Sequence, residues 1–241
     1  MYMKSLFSVF IAIIFCASAL AQKTINDPNA EKRSVSGYHG VSVSGSIELF
    51  LTQSNEESVV ISADDAKWRD RVITEVKDGI LHIYLEHKNK IQIDWPNSKK
   101  IRAYVSVKDI DYLSSSGSGK THIDGDLKSD KLHIDISGSG NIEAGFAVKD
   151  LTVGLSGSAN ADFSGNAENS DFHISGSGNI RSYDFTTAFC KASISGSGNV
   201  KITVSKELSA HISGSGNVFV KGGGLIRDYS ASGSGKFKRV Q

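Results

Sequence analysis

The sequence predicts an all-β protein whose second half is a parallel β-helix, a solenoid of stacked coils. Three observations lead to this fold class. The motif Ser-Gly-Ser-Gly-Asn recurs at a near-constant spacing, apolar and polar residues alternate around each copy, and the 241 residues include 24 glycines but only 2 prolines. Because proline interrupts the hydrogen-bond ladder of a sheet, its scarcity allows strands to pair through most of the chain.

The N-terminus has the pattern of a signal peptide, which we assign to residues 1–21. Lys4 precedes an apolar run at residues 6–15 that is too short to span a bilayer, and Ala19-Leu20-Ala21 supplies the small residues of a cleavage site. We expect cleavage after Ala21 and a linker at residues 22–36. Export would place the mature chain in the periplasm, at the outer membrane or outside the cell. Two alternatives are an uncleaved membrane anchor and lipidation at Cys16, against which the bulky Phe15 argues.

The charge of the mature chain is balanced. Removal of residues 1–21 removes one lysine and leaves 26 basic and 26 acidic side chains. Nucleic acids and anionic membranes attract clustered Lys and Arg, so we expect neither as a partner. Cys190 is the only cysteine after the cleavage site, which excludes a disulfide within the mature chain. No second apolar segment is long enough to cross a membrane as a helix.

Residues 37–241 are predicted to form one β-helical domain, and residues 37–112 are its less regular half. Alternation at residues 41–49 predicts a strand that carries a degenerate Ser-Gly-Ser. Further strands are predicted at residues 59–61, 72–76, 80–85, 91–93 and 101–107, with an Asp78-Gly79 hairpin turn between the third and fourth strands of this half and one or two helical turns at 63–70. These elements would form irregular coils or a sheet that caps the solenoid.

Residues 113–241 contain the regular repeats. Clear copies of the motif start at Ser137, Ser175, Ser195 and Ser213, and weaker copies start at Ser116, Ser156 and Ser232, with successive starts 18 to 21 residues apart. A unit of this length cannot bury its own apolar face, so neighbouring units must stack, with strands about 4.8 Å apart. Propeller blades need about 40 residues. The repeats therefore predict β-helix coils that align Asn141, Asn160, Asn179, Asn199 and Asn217 in one column.

The side-chain parity of each repeat separates an inner face from an outer face, because the strand period is two. In the copy at Ser137, one parity holds Leu132, Ile134, Ile136, Gly138, Gly140, Ile142 and Ala144, while serine, asparagine and glutamate hold the other. The glycines then lie inward, where the wall bends or another backbone comes close. A second possibility is a corner at which Gly or Asn takes a positive φ.

These residues together resemble a known family. The repeated Ser-Gly-Ser-Gly-Asn-Ile/Val, preceded by Val-Ser-Gly-Ser-Ile-Glu-Leu at residues 43–49 and by the Asp78-Gly79 hairpin, is similar to the head GIN domain of auto-transporter adhesins, a family of secreted proteins common in Bacteroidetes-like envelopes. The resemblance covers about residues 37–221. It implies a β-helical fold and a location outside the cytoplasm, and it brings no catalytic residues with it.

An enzyme is the main alternative, because many polysaccharide lyases and glycosidases are β-helices. Glycoside hydrolysis needs two carboxylates about 5 to 10 Å apart. The outward candidates are Asp135, Glu143 and Asp162, which we assign to different repeat positions without convergence. No serine has a partnered His and Asp, and no phosphate-binding loop is present. We therefore predict no catalytic residues and no cofactor.

Histidine and cysteine do not predict a metal site. His173 and His211 precede their motif serines by two residues and would lie two coils apart, roughly 9 to 10 Å, with Ser193 between them. That separation is too large for one ion with ligand bonds near 2 Å. His133 falls at another repeat position, and Cys190 has inward parity, which predicts a buried, unreactive thiol.

The remaining candidate for function is the outer surface. Columns of Ser, Ser and Asn would either bond from coil to coil or present a polar wall to a surface glycan or an envelope protein, with Trp68, Trp95 or Tyr183 as a stacking platform. The sequence thus favours a non-catalytic, adhesion-type binding module. The alternative is a carbohydrate-active enzyme.

Overall fold

The computed structural model describes residues 29–86 and 100–240, in which parallel coils stack into one solenoid. The regular coils are long strands that each run from the last residue of one motif, asparagine in all but the first, to the first glycine of the next motif: β9 (Lys120–Gly138), β10 (Asn141–Gly157), β11 (Asn160–Gly176), β12 (Asn179–Gly196) and β13 (Asn199–Gly214). Each pairs in parallel with the next, with the motif residues in register. The predicted parallel β-helix is confirmed.

A shorter coil follows β13. β14 (Asn217–Lys221) and β15 (Leu225–Gly233) both pair in parallel with β13, and β16 (Lys236–Arg239) pairs with β14. Among the described strands, β15 has a neighbour on one side only.

The first half also contributes parallel coils. β2 (Gly40–Gly45) lies between β6 (Ile80–Leu85) and β8 (Tyr112–Gly117), and β3 (Ile47–Gln53) lies between β7 (Ile101–Val107) and β9. The degenerate motif takes its place in the stack, because Gly45 aligns with Gly117. The order of coils along the solenoid therefore differs from their order along the chain.

Antiparallel strands cover the other end of the stack. β4 (Ser58–Ala63) pairs with β7, β5 (Val72–Lys77) pairs with β6, and β1 (Glu31–Arg33), inside the predicted linker, pairs with β4. Asp78 and Gly79 both have positive φ, which confirms the predicted hairpin turn. The predicted helical turns appear as α1 (Ala66–Arg69), capped by Asp65. The strand predicted at residues 91–93 and the signal peptide lie outside the described residues.

The inward parity of the repeats is buried as predicted, and Phe146, Phe172 and Phe185 pack edge to face at the centre of the core. The two glycines of each motif differ. The first forms the corner, with φ of +128° at Gly196, and the second points inward, as at buried Gly198. The inward position predicted from parity thus holds for the second glycine, and the predicted corner with positive φ holds for the first. The motif asparagines keep negative φ. No helix within residues 29–86 and 100–240 is long and apolar enough to cross a membrane.

Candidate binding groove

The outer wall of the regular coils carries a shallow groove of about 820 Å³. Strand parity places two columns of outward side chains along it, and parallel register extends each column through successive coils. One column is Asp135, Gly154, His173, Ser193, His211 and Ser230, and the other is Ser137, Ser156, Ser175, Ser195, Ser213 and Ser232. We call this feature the Ser/His groove.

Glycine opens the groove at one rung. Gly154 has no side chain, and the carboxylate of Asp135 leans across it, since a Cβ atom at Gly154 would lie 2.6 Å from Asp135 Oδ1. The neighbouring rungs of this column carry Asp135 and His173. The floor between the two columns is formed by the strand segments of Ile136, Leu155, Ile174, Ile194 and Ile212. Because the side chains of these residues are buried, the floor offers mainly backbone to an extended ligand along the solenoid axis.

Each imidazole of the groove lies near a carboxylate, and His211 also bonds to a serine hydroxyl. His173 Nε2 lies 3.1 Å from Asp171 Oδ1, and His211 contacts Ser230 Oγ at 2.8 Å and Asp228 Oδ2 at 3.6 Å. Both side chains remain about half exposed, at 54% and 53%. The hydrogen bond to Ser230 orients the His211 ring, His173 approaches Asp171 without hydrogen-bond geometry, and both rings are accessible to a ligand.

Asp135 closes the other end of the groove. Its Oδ2 lies 2.9 Å from His133 Nε2, and the His133 ring stacks on Tyr112 with centroids 5.8 Å apart. Among the described residues lining the groove, none is Lys or Arg. Serine hydroxyls both donate and accept hydrogen bonds, and imidazole nitrogens can also bond to such groups, so the groove is chemically suited to a ligand rich in hydroxyl or amide groups.

The motif asparagines form the predicted column, and their amides bond to one another. Asn160, Asn179, Asn199 and Asn217 each donate from Nδ2 to Oδ1 of the asparagine one coil earlier, at 3.2, 3.1, 2.8 and 2.9 Å. The last acceptor, Asn217 Oδ1, accepts a hydrogen bond from the backbone N–H of Lys236. The asparagines are therefore a structural ladder, and the serine columns are the accessible part of the polar wall.

The carboxylate candidates require a correction. Glu143 and Asp162 do not occupy different repeat positions: each follows its motif asparagine by two residues, and the two pair in register on neighbouring coils. Asp162 accepts hydrogen bonds from Arg181 Nε at 2.8 Å and Nη2 at 3.0 Å, and Glu143 lies 3.6 Å from His122 Nδ1. Their column continues with Arg181 and Lys201, so two acidic rungs are followed by two basic rungs, and Asp135 lies apart from it.

The predicted positions of the histidines are confirmed. His173 and His211 lie two coils apart with Ser193 between them, while His133 belongs to another column. Within the described residues, no three His, Cys, Asp or Glu side chains come together in a way that could hold a metal ion.

Cys190 is buried, as its parity predicts, and desolvation followed by the nearby charge of Asp171 raises the pKa of its thiol. The prediction of an exposed stacking platform at Trp68 is wrong, because α1 turns this side chain into the core. Trp68 is only 6% exposed, and Arg71 lies 4.7 Å from its ring. Tyr183 is partly exposed, under the Lys221 ammonium at 4.8 Å. Trp95 lies outside the described residues.

The sequence analysis missed Asp171 and Asp228 as partners of the groove histidines. Asp171 was detectable, because a residue two positions away on a strand points to the same face. Asp228 approaches His211 from the next coil, across a register shift after Leu208, which the sequence pattern does not reveal.

Comparison with known proteins agrees with this architecture. Residues 37–224 match the family described as "Putative auto-transporter adhesin, head GIN domain". A putative adhesin of Bacteroides fragilis NCTC 9343 has a similar structure, with a TM-score of 0.79 and 22% identity over 88% of this chain and 96% of that one. A putative lipid binding protein of Parabacteroides distasonis ATCC 8503 gives 0.70 and 24%, over 90% and 98%. A putative adhesin of Parabacteroides merdae ATCC 43184 gives 0.62 and 21%, over 88% and 95%. These similarities show a shared fold. No curated protein sequence matches the chain.

Proposed function

Because the chain belongs to the "Putative auto-transporter adhesin, head GIN domain" family, we propose that it is an exported, non-catalytic binding protein of the cell envelope or surface, of the adhesion type. Residues 1–21 are the signal peptide, residues 22–36 lead into the domain, and residues 37–241 are the binding module. N-terminal sequencing of the exported protein tests the first step. A start at Gln22 is expected, and a lipid-modified start at Cys16 would contradict it.

The Ser/His groove is the observation that carries this proposal. It runs across six coils and presents hydroxyls and oriented imidazoles on a rigid wall. Side chains on a sheet of fixed spacing lose little conformational freedom when a ligand binds, which favours recognition of a repeating or extended ligand. A surface glycan or an extended segment of an envelope protein has the required hydroxyl or amide groups.

A steric block in the groove tests the proposal. Ser193→Tyr places a bulky side chain at the middle rung, pointing outward, and Ser197→Tyr places the same side chain at an exposed corner outside the groove. The mature protein and both variants are applied to a glycan array and to intact bacterial cells. We expect binding by the unmodified protein and by Ser197→Tyr, and its loss in Ser193→Tyr. Equal binding by the two variants would place the ligand elsewhere.

The enzyme alternative keeps one observation in its favour, the alignment of Glu143 with Asp162 on neighbouring coils. The polysaccharides that bind are therefore also analysed for new reducing ends and for unsaturated products. We expect none. Products that disappear in Glu143→Gln or Asp162→Asn would replace the binding module with a carbohydrate-active enzyme.

A further inference from the structure

The two ends of the solenoid are finished differently. Antiparallel strands and α1 cover one end, whereas the other end is the edge strand β15, whose nine residues are all exposed. Ile226 and Tyr229 continue inward columns and are 44% and 42% exposed, while their counterparts in the coil beneath, Leu208 and Ala210, are 1% and 0% exposed. Within residues 29–86 and 100–240, no element covers the apolar core at this end, and an uncovered edge of this kind favours pairing with another strand.

β16 is also an edge strand at this end, because it pairs only with β14, and the two edges differ in charge. β16 carries Lys236 and Lys238 on exposed positions, and lysines on an edge oppose the addition of another strand. β15 instead carries adjacent opposite charges: Arg227 donates to Glu207 Oε2 of the coil beneath at 2.8 Å, and Asp228 Oδ2 lies 3.6 Å from His211 Nε2. β15 is therefore the edge on which strand addition meets no repulsion.

The sequence of β15 complements itself. When two copies of β15 run antiparallel about a twofold axis between Arg227 and Asp228, Ile226 of each copy faces Tyr229 of the other, and Arg227 of each faces Asp228 of the other. The register shift at Arg227 makes this possible, because it turns both Ile226 and Tyr229 inward. A register centred on Arg227 or on Asp228 would instead oppose like charges, which destabilises a strand pair.

We propose that β15 is a dimerisation edge, at which a second copy of this chain pairs antiparallel with the first in that register. The partner covers Ile226 and Tyr229 and closes the open ends of both solenoids at once. Because the interface is isologous, each contact occurs twice and the assembly stops at the dimer.

Sedimentation equilibrium of the mature protein over a concentration series tests the proposal. We expect a reversible monomer–dimer equilibrium. Asp228→Arg places arginine opposite arginine twice and should weaken the dimer about tenfold or more. The exchange of both charges, Arg227→Asp with Asp228→Arg, restores the opposite-charge pairs between the copies. It is made together with Glu207→Arg, because Arg227 bonds to Glu207 in the coil beneath, and it should recover the original affinity. The control Asp184→Arg makes the same charge change on an exposed position of β12, away from the edge, and should have no effect.

Thermal unfolding of each variant confirms that it folds. A protein that stays monomeric at every concentration would overturn the proposal, as would a dimer that Asp228→Arg leaves unchanged. Failure of the double exchange to restore a folded protein's dimer would rule out this register.

Discussion

A side chain added at the inward glycine of the motif should lower the stability of the fold more than a substitution at a neighbouring exposed residue. A Cβ atom at Gly198 would lie 2.3 Å from the carbonyl oxygen of Gly178 and 2.6 Å from Ile174 Cγ2. The carbonyl cannot easily retreat, because it accepts the backbone N–H of Asn199 at 3.2 Å. Gly198→Val must therefore push two coils apart, strain the ladder, or both.

The magnitude follows from overpacking, which costs about 1 to 3 kcal/mol and occasionally more. We expect the lower part of this range for Gly198→Ala, since Ala159 occupies the equivalent position two coils earlier and is fully buried. Gly198→Val, with two further methyl groups, should reach the upper end or exceed it. Neighbouring coils should be destabilised as well, because stability in a solenoid is shared between adjacent repeats.

Urea denaturation of the mature protein measures these changes, and Ser197→Ala is the matched control on the adjacent, exposed residue. Water can solvate the space left by an exposed hydroxyl, so this control should cost less than about 1 kcal/mol. If Ser197→Ala proved more damaging than Gly198→Val, the assignment of inner and outer faces would be refuted, and with it the accessible serine columns of the groove.

Three further predictions concern the amide ladder and two buried ionisable groups. Asn179→Ala removes two ladder bonds and should lower the free energy of unfolding by about 1 to 3 kcal/mol, roughly twice the cost of Asn141→Ala at the end of the ladder, in urea denaturation. Burial raises the pKa of the Cys190 thiol, so a chromogenic thiol reagent should react only after denaturant unfolds the protein. Burial, followed by the charge of Glu57, raises the pKa of Tyr38 to about 12. Since an unfolded tyrosine ionises near pH 10, Tyr38 should lower stability by up to about 3 kcal/mol from about pH 10 to 12. In denaturation curves, Tyr38→Phe should remove this share of the alkaline loss of stability and leave the share of Cys190.

Local pattern was sufficient to predict the regular coils. The period of two assigns Cys190 and Gly198 to the inner face, and the spacing of the motif aligns the asparagines, because both depend only on residues within one repeat. The same reasoning reaches Glu143 and Asp162, which both follow a motif asparagine by two residues, although their shared column was not recognised in the sequence analysis.

Non-local pairing was not predictable from the same pattern. Nothing within β2 indicates that its neighbours are β6 and β8, because any parallel strand of suitable polarity satisfies its ladder. Trp68 has the chemistry of an exposed platform, and only the packing of α1 against β4 decides that it is buried. The groove likewise depends on the register between coils, which a single repeat does not contain.

The interleaved order of the first coils sets a constraint on how the chain can fold as it emerges, amino end first. Val41 pairs with Leu81 on one side and with Leu113 on the other, so the earliest coil meets neither neighbour until much later segments have arrived. Closing such large loops is entropically slow, whereas the later coils find their partners within one repeat. The regular coils can therefore pair with one another first. The amino-terminal coil, although synthesised first, is among the last to be completed. Until then its apolar strands remain unpaired, which is the interval in which a chain of this topology is most exposed to aggregation.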